Sequence, residues 1–300
     1  MLACASAATA TGPQPQTAAR IVVLQSAPGG PYEEFTTSFH ATLQQLAPAR
    51  AGSVVVTTVQ SDTTWLAALT ADDVLVAVGT QATELALKSH GSSPLLSVLV
   101  PKATFERMLK QAAAGRTVTA IYLDQPLSRY IGLAKLVVPD LKTIGVILGP
   151  TTGSQAGALA QATAAYSLKL ATAGMTDGNP LPALSALLED SGVILALPDP
   201  VVYNRYTLPP LLLTTFRYRI PVVGFSAALV KAGAVAAVYS RPALIGRQAA
   251  EMLQSTPPGG GTYPRYFDVR FNRAVAQALD LALPSEAEAK ATLQQGGAAP

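Results

Sequence analysis

Few residues of this 300-residue chain have side chains suited to covalent chemistry: two histidines, His40 and His90, and one cysteine, Cys4. Ser226 follows an apolar run in 220-IPVVGFSAA-228, much as a nucleophilic serine follows a strand, but Ala228 stands where that turn needs a second glycine. A serine nucleophile also needs an imidazole to take its proton. His40 falls in the middle of a helical pattern, and His90 falls at a helix C-terminus, where the helix dipole suits a cation. A serine hydrolase is therefore the weakest reading. Two separated histidines and a lone cysteine do not make a zinc site. The acidic pairs Asp72-Asp73 and Glu33-Glu34 sit at a strand entry and in a first helical turn, where solvation or the dipole accounts for them. The turn 145-GVILGPTTGSQAG-157 lacks both the Lys-Ser/Thr ending of a phosphate loop and a G-x-G-x-x-G fingerprint. It can still offer backbone N–H groups to an anion at a helix N-terminus. The pattern calls for no catalysis, no metal and no cofactor.

A different chemistry gathers in 197-LPDPVVYNRY-206, where an apolar strand empties into Asp199, Tyr203, Asn204, Arg205 and Tyr206. Similar polar groups follow other apolar runs: Gln25 and Ser26, Gly79 and Thr80, Gly149 with Thr151 and Thr152, and Phe225 with Ser226. Any one of these serves as well to cap the helix that follows. Together they mark the strand ends where open α/β sheets bind ligands. The single tryptophan, Trp65, reads as packing.

The elements that carry these residues alternate regularly. Near-continuous Val/Leu/Ile runs at 20–27, 53–60, 73–80 and 94–101 are separated by helical patterns, as in a parallel sheet covered on both faces. After 116-RTVTAIYLDQP-126 the pattern restarts, with strands read at 143–149, 167–172, 192–197, 220–226 and 234–240. These are two doubly wound halves, with Tyr122, Asp124 and Gln125 at their junction. Helix 242–254 is expected to return to the first lobe and 263–271 to supply a last strand of the second. The lobes then comprise 20–122 plus about 241–260, and 123–240 plus about 261–284, with 1–19 as a tether and 285–300 as a short helix and frayed tail. Several crossings would make a hinge with a cleft between the lobes.

Composition narrows the partners. Charged residues are 13% of the chain and the net charge is +3 without a Lys/Arg run, so no nucleic-acid surface is expected. No stretch has the roughly 20 apolar residues of a spanning helix. The start, 1-MLACASAATATGPQPQT-17, resembles the end of a bacterial lipoprotein signal and its tether. Cys4 would then be the lipidated residue, given a start upstream that supplies the basic and apolar segment, and that anchor would be the chain's membrane contact.

The long stretch 197-LPDPVVYNRYTLPPLLLTTFRYRIPVVGFSAALVKAGAVAAVYSRPALIGRQAAEML-253 closely resembles the C-terminal half of ABC-transporter substrate-binding proteins related to the tryptophan-binding lipoprotein group. The similarity runs weakly upstream through "VAVGTQAT", "IYLDQPLSRYIGLAKLVVP" and "IGVILGP", and spans Arg20 to Pro284. It implies a type I periplasmic-binding-protein fold: two Rossmann-like lobes, hinged, with mainly parallel sheets, closing on a small molecule without catalysis. By position it implies cleft residues Ser26 and Thr80 in the first lobe, Asp199, Tyr203 and Ser226 in the second, and Tyr122 to Gln125 at the hinge. Relatives commonly continue after strand 94–101 with a polar, proline-containing segment such as Asp-Pro, whereas this chain reads 101-PKATFERML-109.

The expectation is thus a periplasmic or envelope receptor, monomeric and lipid-anchored, that hands a small amino-acid-like or aromatic solute to an ABC permease. Hydroxyls and N–H groups would hold the solute's acid, Asp199 its amine, and Tyr203 and Phe225 its apolar part. An orphan envelope protein-interaction module with a degenerate cleft is the alternative.

Overall fold

The computed structural model describes residues 19–60, 63–113, 115–175, 178–255 and 259–296. Cys4 and the tether up to residue 18 lie outside these. The first half runs β1 (Ile21–Gln25), α1 (Gly30–Leu46), α2 (Pro48–Ala51), β2 (Val54–Thr58), β3 (Val74–Val78), α3 (Thr80–Lys88), β4 (Leu95–Val100), α4 (Lys102–Leu109) and β5 (Val118–Tyr122). The second runs α5 (Leu127–Val137), β6 (Thr143–Leu148), α6 (Ala156–Ala165), β7 (Lys169–Gly174), α7 (Pro180–Leu188), β8 (Val193–Leu195), α8 (Leu208–Arg217), β9 (Val222–Gly224), α9 (Ala227–Ala232) and β10 (Ala236–Tyr239). The chain ends with α10 (Pro242–Met252), β11 (Gly260–Thr262), β12 (Asp268–Phe271), α11 (Arg273–Ala278) and α12 (Glu286–Gly296).

The strands form two six-stranded sheets in the orders β11-β5-β4-β3-β1-β2 and β12-β10-β9-β8-β6-β7. The first is parallel throughout, and in the second only β12 runs antiparallel, against β10. Every residue of β1 and β3 is buried, which is why β3 reads as an unbroken apolar run and β1 as one up to its last residue, Gln25. The edge strand β2 instead leaves Val55 and Val56 half exposed.

α10 follows a strand of the second sheet but packs on the first. Its Ile245, Ala249 and Leu253 join Phe35, Phe39 and Leu43 of α1 over the β1-β3-β4 face. The two helices meet closely at Gly246, where a Cβ would lie 2.5 Å from the Phe35 carbonyl oxygen and 3.0 Å from the Phe39 nitrogen. Backbone cannot yield there as a flexible side chain would.

One late element escaped the periodicity reading, and another is held more firmly than expected. β11 lies in a Gly-rich stretch with no apolar signal, yet it pairs with β5 at the edge of the first sheet. α12 falls within 285–300, where a short helix and frayed tail were expected, and it is docked: Ala289 and Leu293 are buried against the α5 side of the second sheet. A capping box starts it, Ser285 Oγ accepting the Glu288 N–H at 3.2 Å and the Glu288 carboxylate accepting the Ser285 N–H at 2.8 Å.

At the base of the first sheet, Asp73 is buried and accepts the backbone N–H and guanidinium of Arg20 together with the Thr70 N–H. The Arg20 hydrogen bond holds the Asp73 carboxyl far below the usual carboxylate range, against the opposing pull of burial. A carboxylate lowered in the folded state adds stability that is fully present above its unfolded pKa near about 4 and is lost as pH falls towards the folded value. Asp73→Asn is therefore expected to lower stability by about 1–3 kcal/mol at pH 7, with the gap to wild type narrowing below about pH 4; urea titrations at pH 7 and pH 3 measure it. Gly246→Val is expected to cost about 1–3 kcal/mol by forcing α1 and α10 apart, read by the same titrations at pH 7.

Candidate ligand-binding site

Three crossings connect the sheets: after β5 at 123–126, after β10 at 240–241, and between β11 and β12 at 263–267. One buried network ties them. Gln125 Nε2 donates to Ser240 Oγ at 2.9 Å, and Ser240 Oγ donates to the Tyr266 carbonyl at 2.6 Å. Arg129 donates to Gln125 Oε1 and, at 3.1 Å, to the Pro264 carbonyl. Its guanidinium lies 4.0 Å from the Phe267 ring centroid, and burial pushes its pKa down to about 10.

Beside this junction lies a cavity of about 460 Å³ with walls from both lobes. The first-lobe wall is α4 with its C-cap, through Lys102, Ala103, Glu106, Arg107 and Lys110. A β-bulge aims this helix: the β4-β5 register shifts between Val98 and Val100, and Leu99 takes a left-handed φ of 56°. An apolar L-residue accepts that conformation only at a cost of about 1–2 kcal/mol. The junction supplies Asp124 and Gln125, with Tyr130 and Tyr263 behind them. Asp124 is half-buried, accepts the Lys102 backbone N–H at the head of α4, and has its pKa raised by burial. The second-lobe wall is the turn after β6 (Pro150, Thr151, Ser154, Gln155) with Leu197 and Pro198 after β8.

Of the residues expected from sequence, Asp124, Gln125 and Thr151 line this cavity. Tyr122 does not line it but packs behind Tyr263, which does, the two rings 5.4 Å apart in an edge contact. The others are turned to structural work. Ser26 Oγ accepts the Ala82 N–H at 3.0 Å and donates to the Val78 carbonyl at 2.9 Å, holding the first turn of α3. Gly79 makes the left-handed entry to that helix at φ 91°, and Thr80 begins it with an exposed side chain. Ser226 Oγ accepts the Leu229 N–H at 3.2 Å and caps α9.

Asp199 departs most from expectation. It is 1% exposed, and its Oδ2 accepts the Thr151 N–H, the Thr152 N–H and the Thr152 hydroxyl at 2.9–3.0 Å, while Oδ1 accepts the Val201 N–H at 3.0 Å. Gly149 is where the carboxylate fits: a Cβ there would lie 2.6 Å from it. The carboxylate thus fills the amide nest of the Gly149–Thr152 turn from within the protein. Asn204 shapes the next turn, donating to the Pro200 and Val201 carbonyls and accepting the Tyr206 and Thr207 N–H groups. Tyr203 is buried in an edge contact with Phe225, ring centroids 6.0 Å apart. Its hydroxyl has no hydrogen-bond partner, and burial pushes its pKa up.

Sequence reasoning missed the α4 wall. Its signal was present: 103, 106, 107 and 110 stand at i, i+3, i+4 and i+7, so one helical face carries Glu106, Arg107 and Lys110 while Phe105 is buried.

Two hinged α/β lobes around a shared cavity define a binding protein of the periplasmic type I class. A family model described as ABC transporter substrate binding protein matches residues 60–282, and the chain belongs to that family. Three solved structures share the fold. A conserved domain protein from Vibrio cholerae is 20% identical, with 92% of this chain and 98% of that one covered and a TM-score of 0.59. A ligand-free, open substrate-binding protein with adhesive properties from Clostridium difficile is 19% identical, with 89% and 96% covered and a TM-score of 0.67. An ABC domain from Streptococcus pneumoniae in complex with L-Trp is 16% identical, with 90% and 97% covered and a TM-score of 0.57. No curated protein matches.

Removing the Asp199 carboxylate strands four donors. Asp199→Ala is expected to cost roughly 3–5 kcal/mol, whereas Tyr203→Phe, which deletes only an unpartnered hydroxyl, is expected to be neutral or stabilising by up to about 1 kcal/mol. Denaturant titration of both variants tests this; equal losses would contradict the placement of Asp199.

Proposed function

We propose that this protein is the extracytoplasmic receptor of an ABC-type importer and binds a small amino-acid-like or aromatic solute between its lobes. The observation that carries the reading is the cavity of about 460 Å³, which draws its walls from both sheets and sits against the three crossings. Its volume lies in the range of small-molecule sites, about 300–1,000 Å³. Leu127, Leu197, Pro198 and Tyr130 supply apolar surface, and Asp124, Thr151, Ser154 and Gln155 supply polar contacts around it. The L-Trp carried by the Streptococcus pneumoniae structure fits the same size class. Under this reading Asp199 organises the second lobe's turn from behind, and Asp124, Gln125 and Thr151 face the solute.

A solute that bridges both walls binds the closed arrangement more tightly than the open one, and closure follows from that difference alone. No helix among the described residues is long and apolar enough to cross a membrane. Addition of the right member of an amino-acid and metabolite panel is expected to raise the melting temperature, by about 2.7 kcal/mol of linkage stabilisation at 100 times Kd. It is also expected to reduce the radius of gyration in solution scattering. A panel that leaves both unchanged would remove the basis of the receptor reading.

A further inference from the structure

The charge distribution around the cavity is lopsided, and three observations give the lopsidedness a meaning. Four backbone N–H groups of the second lobe's turn are already engaged, which leaves that wall mainly neutral side-chain donors on Thr151, Ser154 and Gln155. The N–H groups of Thr151 and Thr152 go to Asp199, that of Gly153 goes to the Gly149 carbonyl at 2.8 Å, and that of Gln155 goes to the Thr152 carbonyl at 2.9 Å. A solute acid finds no open amide nest among these four residues.

The first lobe is the reverse. Along the cavity wall α4 and its C-cap residue carry Lys102, Arg107 and Lys110 against one acid of their own, Glu106. The other carboxylate in the cavity, Asp124, is engaged by the Lys102 backbone N–H. The facing turn, Thr151, Ser154 and Gln155, carries no charge.

Lys102 is the third observation. Its ammonium sits 5.3 Å from the Tyr263 ring centroid and 5.9 Å from that of Tyr122, and it donates to the Tyr263 hydroxyl at 3.3 Å. The nearest carboxylate in ion-pair range, that of Glu106, is 3.8 Å away, too far for a hydrogen bond. The aromatic pair positions this cation and partly replaces its water without neutralising it. A fixed, incompletely paired ammonium on the wall of a cavity is preorganised for an incoming anion.

We propose that the cavity selects a solute bearing a carboxylate and that the Lys102 ammonium receives it, displacing the weak contact with Glu106, while Arg107 and Lys110 add attraction at longer range. This rests on the receptor reading and narrows its substrate class.

The test is isothermal titration of the full chain with matched pairs: L-phenylalanine and L-phenylalaninamide, L-tryptophan and L-tryptophanamide, phenylacetate and phenylacetamide. In at least one pair the acid is expected to bind tenfold or more tightly than its amide. That preference should weaken with added salt. Lys102→Met is expected to reduce the acid's affinity about tenfold and bring the pair within about threefold of each other. Glu106→Gln, which removes the competing carboxylate, is expected to tighten acid binding by about two- to fivefold. A purely structural lysine would not give opposite effects in these two variants, and unchanged melting temperatures show that both are folded. Acids and amides that bind equally, or a preference that survives Lys102→Met, would overturn carboxylate selection and leave the receptor reading standing. If no member of any pair binds, and none of the wider panel does, the receptor reading fails and this one fails with it.

Discussion

The buried amide of Gln125 is the interaction on which the two-lobed arrangement depends. It is 2% exposed, and it holds Ser240 with its nitrogen and Arg129 with its oxygen. Through those partners it reaches the carbonyls of Tyr266 and Pro264. All three crossings are therefore wired to one side chain. A buried amide stripped of its partners costs a few kcal/mol, so a closing motion has to turn about this node and leave it intact. The cavity lies against the same node, with Gln125 on its wall and Asp124 one residue before it. A solute lodged there touches the segment that any movement of the lobes must bend.

The same rule, that buried polar groups need partners, decides what the strand-end residues do. A sequence shows Ser, Thr and Asp after each apolar run and cannot show how many helix-end N–H groups compete for them. Ser26, Ser226 and Asp199 answer that need within the fold. Asp199 is the clearest case. Its partners Thr151 and Thr152 lie almost fifty residues away, and only the parallel placement of β6 beside β8 brings the two turns together. The cluster after β8 was legible as polar and crowded, and its purpose was not, because the purpose belongs to a neighbouring strand.

Architecture was far more legible than the site. Parallel strands buried on both faces are apolar at nearly every position, and β1, β3 and β4 are buried throughout, with only Gln25 and Ser97 polar and both hydrogen-bonded. Their alternation with helices announces a doubly wound sheet. The reading failed where stability comes from other sources. β11 is Gly-Gly-Thr and earns its place by backbone pairing with β5. α12 was read as a short helix, but its docking was not legible, because it has little apolar content and is held to the second sheet by its capping box and two buried residues, Ala289 and Leu293. The cavity wall on α4 was hidden differently. Lys102, Glu106, Arg107 and Lys110 look like an ordinary solvated helix face until the bulge at Leu99 points that helix at the other lobe.

The lobes consequently divide the work of recognition unequally. In the second lobe every identified carboxylate contact of the β6 turn is internal, so that wall presents shape, short polar side chains and the apolar edges of Leu197 and Pro198. In the first lobe the cations are only loosely answered, and Lys102 rests on tyrosine rings that belong to β5 and to the crossing after β11. Those rings carry the position of Lys102 into the junction itself. Tyr122 ends the strand that leads into the first crossing, and Tyr263 begins the third. The ion pair proposed at Lys102 would form on residues next to the crossings. A charge-reading group placed there couples recognition to closure more directly than one at the far rim of either lobe, since the same contact that holds the solute also braces the strands on which the lobes turn.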